Sequence, residues 1–275
     1  MHGRSCLTNL LEVMEAWTQA LDDGYGVDVA YLDYRKAFDT VPHERLLNKL
    51  INYGIGSHVM EWIRSFLSDR EMRVVVRGQT SAWCSVFSGV PQGSVLGPLL
   101  FLLYVNDIPS HMRCSIKMFA DDTKIWKVMF DESDSHDLQE DLVRLQEWNK
   151  KWLLKFSLDK CNVMHIGHSM ATPYVMEQDG QSWNLSEVTE EKDLGVIVSS
   201  DLKVSRQCSE AVRKASNMLR LIKRHFSRLD KTTFLILYKC YRMCVHIWSI
   251  AYKPDLHSSR RILYAWNKYR GKLLS

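Results

Sequence analysis

The order of hydrophobic patterns between residues 27 and 166 limits this chain to a small number of folds. Residues 27–32 are rich in Val and Tyr and predict a strand, whereas 95–105 is long enough to favour a helix. The remaining patterns predict, in chain order, strands at 115–119 and 123–127, a helix at 137–154 and a strand at 163–166. Strand, helix, strand, strand, helix, strand is the order of the split βαβ, or ferredoxin-like, α+β fold, whose helices cover one face of an antiparallel sheet.

Periodicity and turn residues predict further elements around this core pattern. The further helices are predicted at 5–21, from Pro42 to before Gly54, at 57–67, and as two long patterns from Ser205 onward. The further strands are predicted at 72–76 and 82–87, joined by a turn at 77–79, and as small hairpins within 167–200.

Composition excludes several classes of protein. The 275 residues are 46% hydrophobic and 25% charged, which is typical of a globular chain and not of a disordered or fibrous one. No apolar run reaches the roughly 18 residues of a membrane span, and the N-terminus lacks the features of a signal peptide. The seven cysteines include no Cys-x-x-Cys pair, which predicts reduced thiols. We therefore expect an intracellular protein, with the choice between nucleus and cytoplasm open.

Charge is strongly segregated along the chain. Residues 202–275 contain 17 Lys and Arg against three acids, a balance of +14, which leaves 19 against 29, or −10, in residues 1–201. The basic segment predicts contact with a polyanion, and the acidic part predicts a need for cations. The alternative for the basic segment is a solvated helical surface, and charge by itself leaves both interpretations open.

Three carboxylates follow strands that should be neighbours in the predicted sheet. Asp33 ends the first strand, and Asp121-Asp122 form the tip of the hairpin that joins the second and third strands. Because the first and third strands of the split fold lie side by side, these acids should converge. Clustered carboxylates repel one another unless a cation neutralises them, and hard oxygen ligands favour Mg²⁺. The alternative is that Asp121-Asp122 is a solvated turn, since turns favour Asp.

Three strings around these acids occur in a fixed order. They are Tyr31-Leu32-Asp33-Tyr34-Arg35-Lys36-Ala37-Phe38-Asp39-Thr40-Val41-Pro42-His43, Gly89-Val90-Pro91-Gln92-Gly93-Ser94-Val95-Leu96-Gly97-Pro98 and Phe119-Ala120-Asp121-Asp122. They resemble motifs A, B and C of the reverse transcriptases of non-long-terminal-repeat (LINE-like) retrotransposons, notably the jockey and chicken-repeat-1 type. The resemblance extends over most of the chain and decays beyond about residue 250. It implies a polymerase palm fold and RNA-directed DNA polymerase activity.

The resemblance implies a catalytic role for four residues. Asp33 and Asp121 match the metal-binding carboxylates of motifs A and C, and Asp122 matches the third acid of the palm. The implied cofactor is a pair of Mg²⁺ ions, with Mn²⁺ as an alternative. Lys160 matches the motif D lysine, which would act as a general acid toward pyrophosphate or as a charge near the phosphates. From sequence alone, a solvated lysine is an equally open interpretation of Lys160.

Substrate-binding roles are implied for motif A and motif B residues. Phe38 matches the aromatic gate that disfavours a 2′-hydroxyl, although a core Phe is the alternative. Gln92 matches the motif B residue near the incoming nucleotide and template. The adjacent Gly93, like Gly89, would let the backbone approach a ligand closely, and the alternative, which is compatible with it, is a turn that closes onto the following helix. The implied partners are an RNA template, a DNA primer and deoxynucleoside triphosphates. No membrane partner is implied, and the oligomeric state is open.

The resemblance also divides the chain into four regions. Residues 1–26 resemble the end of a fingers region, 27–170 a palm, 171–204 a β-hairpin segment and 205–275 a basic helical thumb. Only 32 residues precede Asp33, so the basic fingers contacts to the nucleotide are expected to be absent. Two hypotheses follow: a Mg²⁺-dependent RNA-directed DNA polymerase, or a catalytically impaired, retrotransposon-derived fragment that binds RNA through its basic helices.

Several other polar residues receive structural interpretations. Asp39 and Asp107 are explained by capping and backbone hydrogen bonds. Cys161, His165 and His168 have a spacing found in metal sites, but a fourth ligand is missing and the segment reads as a strand, which disfavours zinc.

Overall fold

The structure, a computed structural model, describes residues 5–167 and 172–225. One compact unit comprises Asp23–Val188, and a second comprises the residues up to Asp22 together with those from Thr189 onward. The helices are α1 (Cys6–Asp22), α2 (His43–Asn52), α3 (Ser57–Leu67), α4 (Leu96–Val105), α5 (Ser133–Trp152) and α6 (Ser205–His225). The strands are β1 (Gly26–Leu32), β2 (Arg70–Met72), β3 (Val75–Val76), β4 (Gln79–Thr80), β5 (Cys84–Val86), β6 (Ser115–Phe119), β7 (Asp122–Met129), β8 (Asn162–Ile166), β9 (Val175–Gln178), β10 (Gln181–Asn184), β11 (Ser186–Glu187), β12 (Glu190–Asp193) and β13 (Val196–Ser199).

A five-stranded sheet is the centre of the larger unit. Its strand order is β11-β8-β1-β7-β6, and β8, β1, β7 and β6 pair in antiparallel fashion. The first strand therefore lies between the fourth and third strands of the core pattern, which is the split βαβ order, and the predicted α+β fold class is confirmed. The short strand β11 adds a parallel edge next to β8.

Apolar side chains of the helices pack on one face of this sheet. Ala30 and Leu32 of β1 share a single buried cluster with residues of α2, α3, α4 and α5. All seven residues of β1 are buried, although side chains of a strand alternate between the two faces, so both faces of this central strand are covered. The sheet therefore holds β1, the strand that ends at Asp33, in a fixed position.

A buried lysine ties three of these helices together. The Lys49 ammonium of α2 contacts the carbonyl oxygen of Tyr104 and the Asp107 carboxylate, and it lies 3.9 Å from the centroid of the Trp152 ring. Asp107 is the N-cap residue of a short 3₁₀-helix, Ile108–His111, and its carbonyl oxygen accepts the Ser110 backbone N–H at 3.1 Å, as the interpretation as a cap predicts. Its side chain, however, makes no cap hydrogen bond and forms the ion pair with Lys49. The Trp148 ring is 4.4 Å from the same ammonium, so this aromatic face belongs to the core, where cation–π contact and the ion pair compensate the buried charge.

Two boundaries differ from the predictions for local reasons. Helix α5 begins at Ser133 and not at residue 137 because Asp131 accepts the Ser133 backbone N–H at 2.8 Å and so supports an earlier first turn. The predicted hairpin at 72–87 is divided into two short ladders, β2 with β5 and β3 with β4, and its turn consists of Arg77 and Gly78, both at positive φ. Its predicted strands are otherwise found.

The second unit contains α1, the β12–β13 hairpin and α6. The first turn of α6 is fixed to the hairpin, because Gln207 accepts the Ile197 backbone N–H at 2.9 Å and Arg206 lies 2.9 Å from Glu190. None of the helices in the described ranges is long and apolar enough to span a bilayer. The second basic helical pattern and His168 lie outside the described residues, and the predicted four-region division of the chain stays a prediction.

Candidate active site

Asp33 stands at the end of the central strand, opposite the acidic hairpin. The β1–β7 ladder ends with the pair Leu32 and Thr123, and one further step of the same register places Asp33 across from Asp122. Directly opposed residues of antiparallel strands lie about 4.5–5.5 Å apart and point to the same face of the sheet. Asp33 and Asp122 therefore both lie at the same end of the two central strands, and the extended register predicts that they are neighbours there.

Asp121 lies in the turn beside this pair. Phe119 pairs with Asp122, so Ala120 and Asp121 form a two-residue β-turn. The prediction placed Asp122 in the turn as well, but Asp122 is the first residue of β7. Ala120 has a φ of +57°, which a residue with a side chain adopts at an energetic cost. Such backbone conformations concentrate at functional sites, where the surrounding structure maintains them.

Lys160 holds the Asp33 carboxylate. Its ammonium lies 3.0 Å from Asp33 Oδ2, and the lysine side chain is 64% exposed against 31% for Asp33. The hydrogen bond and charge of Asp33 raise the pKa of Lys160, and the charge of Asp121 contributes in the same direction. Asp121 therefore lies near enough for its charge to act on the ammonium. The Asp33 carboxylate is therefore partly exposed and binds a positive charge. A cation site requires both properties.

The segment that carries Lys160 also fixes the backbone on both sides of Asp33. The Asp33 carbonyl oxygen accepts the Ser157 backbone N–H at 2.8 Å, and the Arg35 backbone N–H donates to the Lys155 carbonyl oxygen at the same distance. The buried Cys161 thiol lies 3.8 Å from the Asp33 carbonyl oxygen. Cys161 thus contacts a backbone carbonyl oxygen, and His165 contacts Asp28. These contacts, and not a zinc ion, account for the two side chains.

Phe38 and the turn that contains Gln92 and Gly93 lie on two segments that a backbone hydrogen bond joins, from the Val90 N–H to the Phe38 carbonyl oxygen at 2.7 Å. The Phe38 ring stacks on Phe101 with 4.4 Å between centroids, which fixes its orientation. Gln92 is exposed, and its Nε2 donates to Asp39 Oδ1 at 3.0 Å. Gly93 has a φ of +84° with open space around its Cα, so the turn itself requires glycine there.

Gly89 permits a close approach of two backbones. A Cβ added to Gly89 would lie 2.7 Å from the Cα of Asp39, which is closer than van der Waals contact allows. The close approach at Gly89 is therefore to the backbone of the motif A segment, and the approach of a ligand to this turn stays a prediction. Asp39 makes the backbone hydrogen bonds expected of it, with its N–H donating to the Lys36 carbonyl oxygen at 2.9 Å, but its side chain bonds to Gln92, which corrects its interpretation as a cap. The contact with Gln92 is what sequence reasoning missed.

The carboxylates fit a divalent ion that takes part of its ligands from a substrate. Among the described residues, no three His, Cys, Asp or Glu side chains converge closely enough to hold an ion by themselves. Mg²⁺ in phosphate-processing sites is typically held by one or two carboxylates together with substrate phosphates. Asp33 and Asp122 supply hard oxygen donors of this kind. The contact of the Lys160 ammonium with Asp33 indicates that this position favours a positive charge.

The sheet has the split order, carboxylates lie at the ends of its two central strands, and a lysine contacts one of these carboxylates. This fold and site define the class of nucleic-acid polymerase palm domains. The family model described as "Reverse transcriptase (RNA-dependent DNA polymerase)" matches residues 3–221. The chain therefore belongs to the reverse transcriptase family, which confirms the resemblance found in its motifs.

The relatives that match are enzymes of mobile elements. The probable RNA-directed DNA polymerase from transposon BS of Drosophila melanogaster is 26% identical over 92% of this chain and 30% of its own length. The RNA-directed DNA polymerase from mobile element jockey of Drosophila melanogaster is 33% identical over 53% of this chain and 17% of its own length. This chain thus spans about 30% of the length of the transposon BS relative. The apo telomerase of Candida tropicalis, truncated from its C-terminal domain, covers 70% of the chain, with 39% of its own length matched, at 12% identity and a TM-score of 0.49.

Proposed function

We propose that this chain is the catalytic part of an RNA-directed DNA polymerase, which extends a DNA primer along an RNA template with deoxynucleoside triphosphates. The observation that carries the proposal is the strand register that sets Asp33 opposite Asp122, with the Lys160 ammonium 3.0 Å from Asp33. Membership of the reverse transcriptase family and the names of its retrotransposon relatives support the same activity.

Asp33, Asp121 and Asp122 are the residues that would hold the divalent ions, which we propose to be two Mg²⁺, with Mn²⁺ as an alternative. Bound ions of this kind lower the pKa of the attacking primer hydroxyl and neutralise charge that develops on the phosphate. The contribution of the protein is geometric. The central sheet fixes β1, the 155–161 segment holds the Asp33 backbone, and the turn at Ala120 presents Asp121 beside them.

The role of Lys160 depends on whether its ammonium contacts the Asp33 carboxylate. While it contacts Asp33, its raised pKa keeps it charged and makes it a poor proton donor. When the Asp33 carboxylate is engaged elsewhere, the hydrogen bond that raises this pKa is lost. The ammonium is then available to neutralise the departing pyrophosphate or to donate a proton to it.

Phe38, Gln92 and Gly93 are proposed to bind the incoming nucleotide. The Phe38 ring is held by its stacking on Phe101, so it would exclude a 2′-hydroxyl by its bulk. Gln92 is exposed and offers a carboxamide to the nucleotide and template, while Gly93 lets the turn adopt the conformation that presents it.

Helix α6 is proposed to contact the phosphates of the template–primer duplex. Arg220 and Arg224 lie one helical turn apart and are exposed, and neither has an acidic partner among the described residues. Each phosphate contact by Lys or Arg releases counterions, so binding should weaken steeply as the salt concentration rises.

The test is primer extension on an RNA template with Mg²⁺. We expect the wild-type chain to extend the primer and the Asp121→Asn variant to lose this activity, because the substitution removes a negative charge and keeps the shape. Asp69→Asn is the matched control, since Asp69 is exposed and lies in the loop between α3 and β2.

Two results would contradict the proposal. Equal extension by wild type and Asp121→Asn would remove the carboxylates from the chemistry. Salt-dependent retention of RNA by a wild-type chain that extends no primer would favour the RNA-binding fragment instead.

A further inference from the structure

Asp39 forms a direct side-chain contact with the residue proposed to face the nucleotide. Its Oδ1 accepts a hydrogen bond from Gln92 Nε2 at 3.0 Å, although 53 positions separate the two residues in the chain. Asp39 directly follows Phe38, so the contact joins the motif A segment to the motif B turn. The consequences drawn from it rest on the proposed function, because they concern nucleotide binding.

The backbones around this contact are fixed to each other at several points. Asp39 accepts the Ser88 hydroxyl at its carbonyl oxygen at 2.9 Å, and the Val90 backbone N–H donates to the Phe38 carbonyl oxygen at 2.7 Å. The His43 imidazole lies 2.8 Å from the Gly89 carbonyl oxygen. Two segments held in this way allow little relative movement, so the backbone of Asp39 has a defined position next to the turn that carries Gln92.

The chemistry of the pair determines the orientation of the carboxamide. A carboxylate only accepts hydrogen bonds, whereas a carboxamide has a donor nitrogen and an acceptor oxygen of nearly the same shape. Asp39 therefore requires the Gln92 nitrogen to face it, and the Gln92 oxygen is left to accept from another group. Without a neighbour of fixed polarity, an exposed glutamine can present either atom.

We infer that Asp39 is a positioning residue that orients the Gln92 carboxamide, so that Gln92 offers its oxygen as a hydrogen-bond acceptor to the incoming nucleotide. Both side chains are exposed in the absence of substrate, so the pair adds little to the stability of the fold. A bound nucleotide would cover the pair and remove water that competes for the hydrogen bond. The contact should therefore affect nucleotide binding more than folding.

The Asp39→Asn variant tests this orientation because an asparagine side chain can donate as well as accept. We expect the KM for the deoxynucleoside triphosphate to rise about tenfold, with kcat and the melting temperature nearly unchanged. In the Gln92→Ala background, Asp39→Asn should have almost no further effect on KM, because the residue through which Asp39 acts is gone. Asp69→Asn is the matched control and should leave KM unchanged in both backgrounds.

A second measurement does not depend on activity. In a protein labelled with ¹⁵N at glutamine, the side-chain amide signals of Gln92 are identified by their loss in Gln92→Ala. They should shift in Asp39→Asn, while Asp69→Asn leaves them in place. If the wild-type chain extends no primer, the proposed function fails and this measurement alone decides whether Asp39 orients Gln92.

Two outcomes would overturn the inference. One is an increase in KM that is equally large with Gln92 and with Ala at position 92, which would show that Asp39 acts independently. The other is an absence of any shift in the Gln92 amide signals in Asp39→Asn.

Discussion

The two ends of strand β1 carry aspartates with opposite surroundings. Asp28 is fully buried, and its two carboxylate oxygens lie 2.7 Å from His165 Nδ1 and 2.6 Å from the Tyr174 hydroxyl. Asp33 is 31% exposed, and its carboxylate is held by the ammonium of one lysine, which is itself 64% exposed. The same residue type on the same strand is thus enclosed at one end and accessible at the other.

This difference separates a structural carboxylate from the one that we propose to be catalytic. Both oxygens of Asp28 are engaged by rigid, buried partners, so no further ligand can reach it without loss of these contacts. Asp33 has an ammonium partner on a flexible stem that can move away, and its opposed strand supplies Asp122. A carboxylate can bind a new partner only where solvent reaches it and its present counter-charge can move away.

The largest expected effects come from the same substitution at the two ends of the strand. Asp33→Asn should reduce primer extension by about 1,000-fold, since charge stabilisation in an active site is worth that much, and change the free energy of unfolding by under about 1 kcal/mol. Asp28→Asn should cost about 2 kcal/mol of unfolding free energy, because the amide nitrogen of Asn cannot accept the buried hydrogen bond that one of the two Asp28 oxygens accepts. Extension rates and urea unfolding of both variants provide the comparison. A destabilising Asp33→Asn with normal activity would reverse the two assignments.

The next largest effect is expected from Lys160, whose ammonium is the counter-charge of Asp33. Lys160→Ala frees the Asp33 carboxylate, so we expect a lower Mg²⁺ concentration for half-maximal activity, together with a rate at saturating Mg²⁺ that falls about tenfold because a phosphate-neutralising group is lost. The measurement is a Mg²⁺ titration of primer extension. Lys155→Ala is the matched control, since Lys155 is also exposed and pairs with Asp179 at 2.8 Å. Identical titrations for the wild type and Lys160→Ala would make Lys160 a solvated lysine.

Local patterns predicted much of the fold and part of the site. Helix α3 begins at Ser57 and ends at Leu67, as its periodicity predicts, because one apolar stripe and flanking turn residues determine both ends. The approach of Asp33 to the Asp121-Asp122 hairpin follows from the strand order, because neighbouring strands of the split fold end at the same edge.

The contacts that sequence reasoning missed join distant segments. Asp39 and Gln92 lie 53 positions apart, and Asp28 and Tyr174 lie 146 apart, so neither pair leaves a periodic pattern. Asp28 is a polar residue in an otherwise apolar strand, and this interruption is the signal that a buried partner exists. The identity of such a partner depends on the packing of the whole sheet, which no local pattern encodes.

The smallest expected effect is a pH dependence of stability at the enclosed end of β1. The hydrogen bond and charge of Asp28 raise the pKa of His165, and Glu187 adds to this, while burial opposes it. A histidine whose folded pKa is raised contributes stability that is fully present below its unfolded pKa of about 6.5 and is lost as the pH rises through the folded pKa. Tyr174 stays protonated throughout this range because burial and Asp28 raise its pKa.

The His165→Gln variant isolates this effect, because a glutamine side chain can donate to Asp28 but does not titrate. We expect the stability advantage of the wild type over His165→Gln to be largest near pH 6 and to shrink by about 1 kcal/mol toward pH 9. Urea unfolding at a series of pH values measures the difference, and subtraction of the two curves removes the other titrating groups. A difference that stays constant or grows as the pH rises would mean that His165 is neutral beside Asp28, and that the enclosed end of β1 is held by hydrogen bonds without an ion pair.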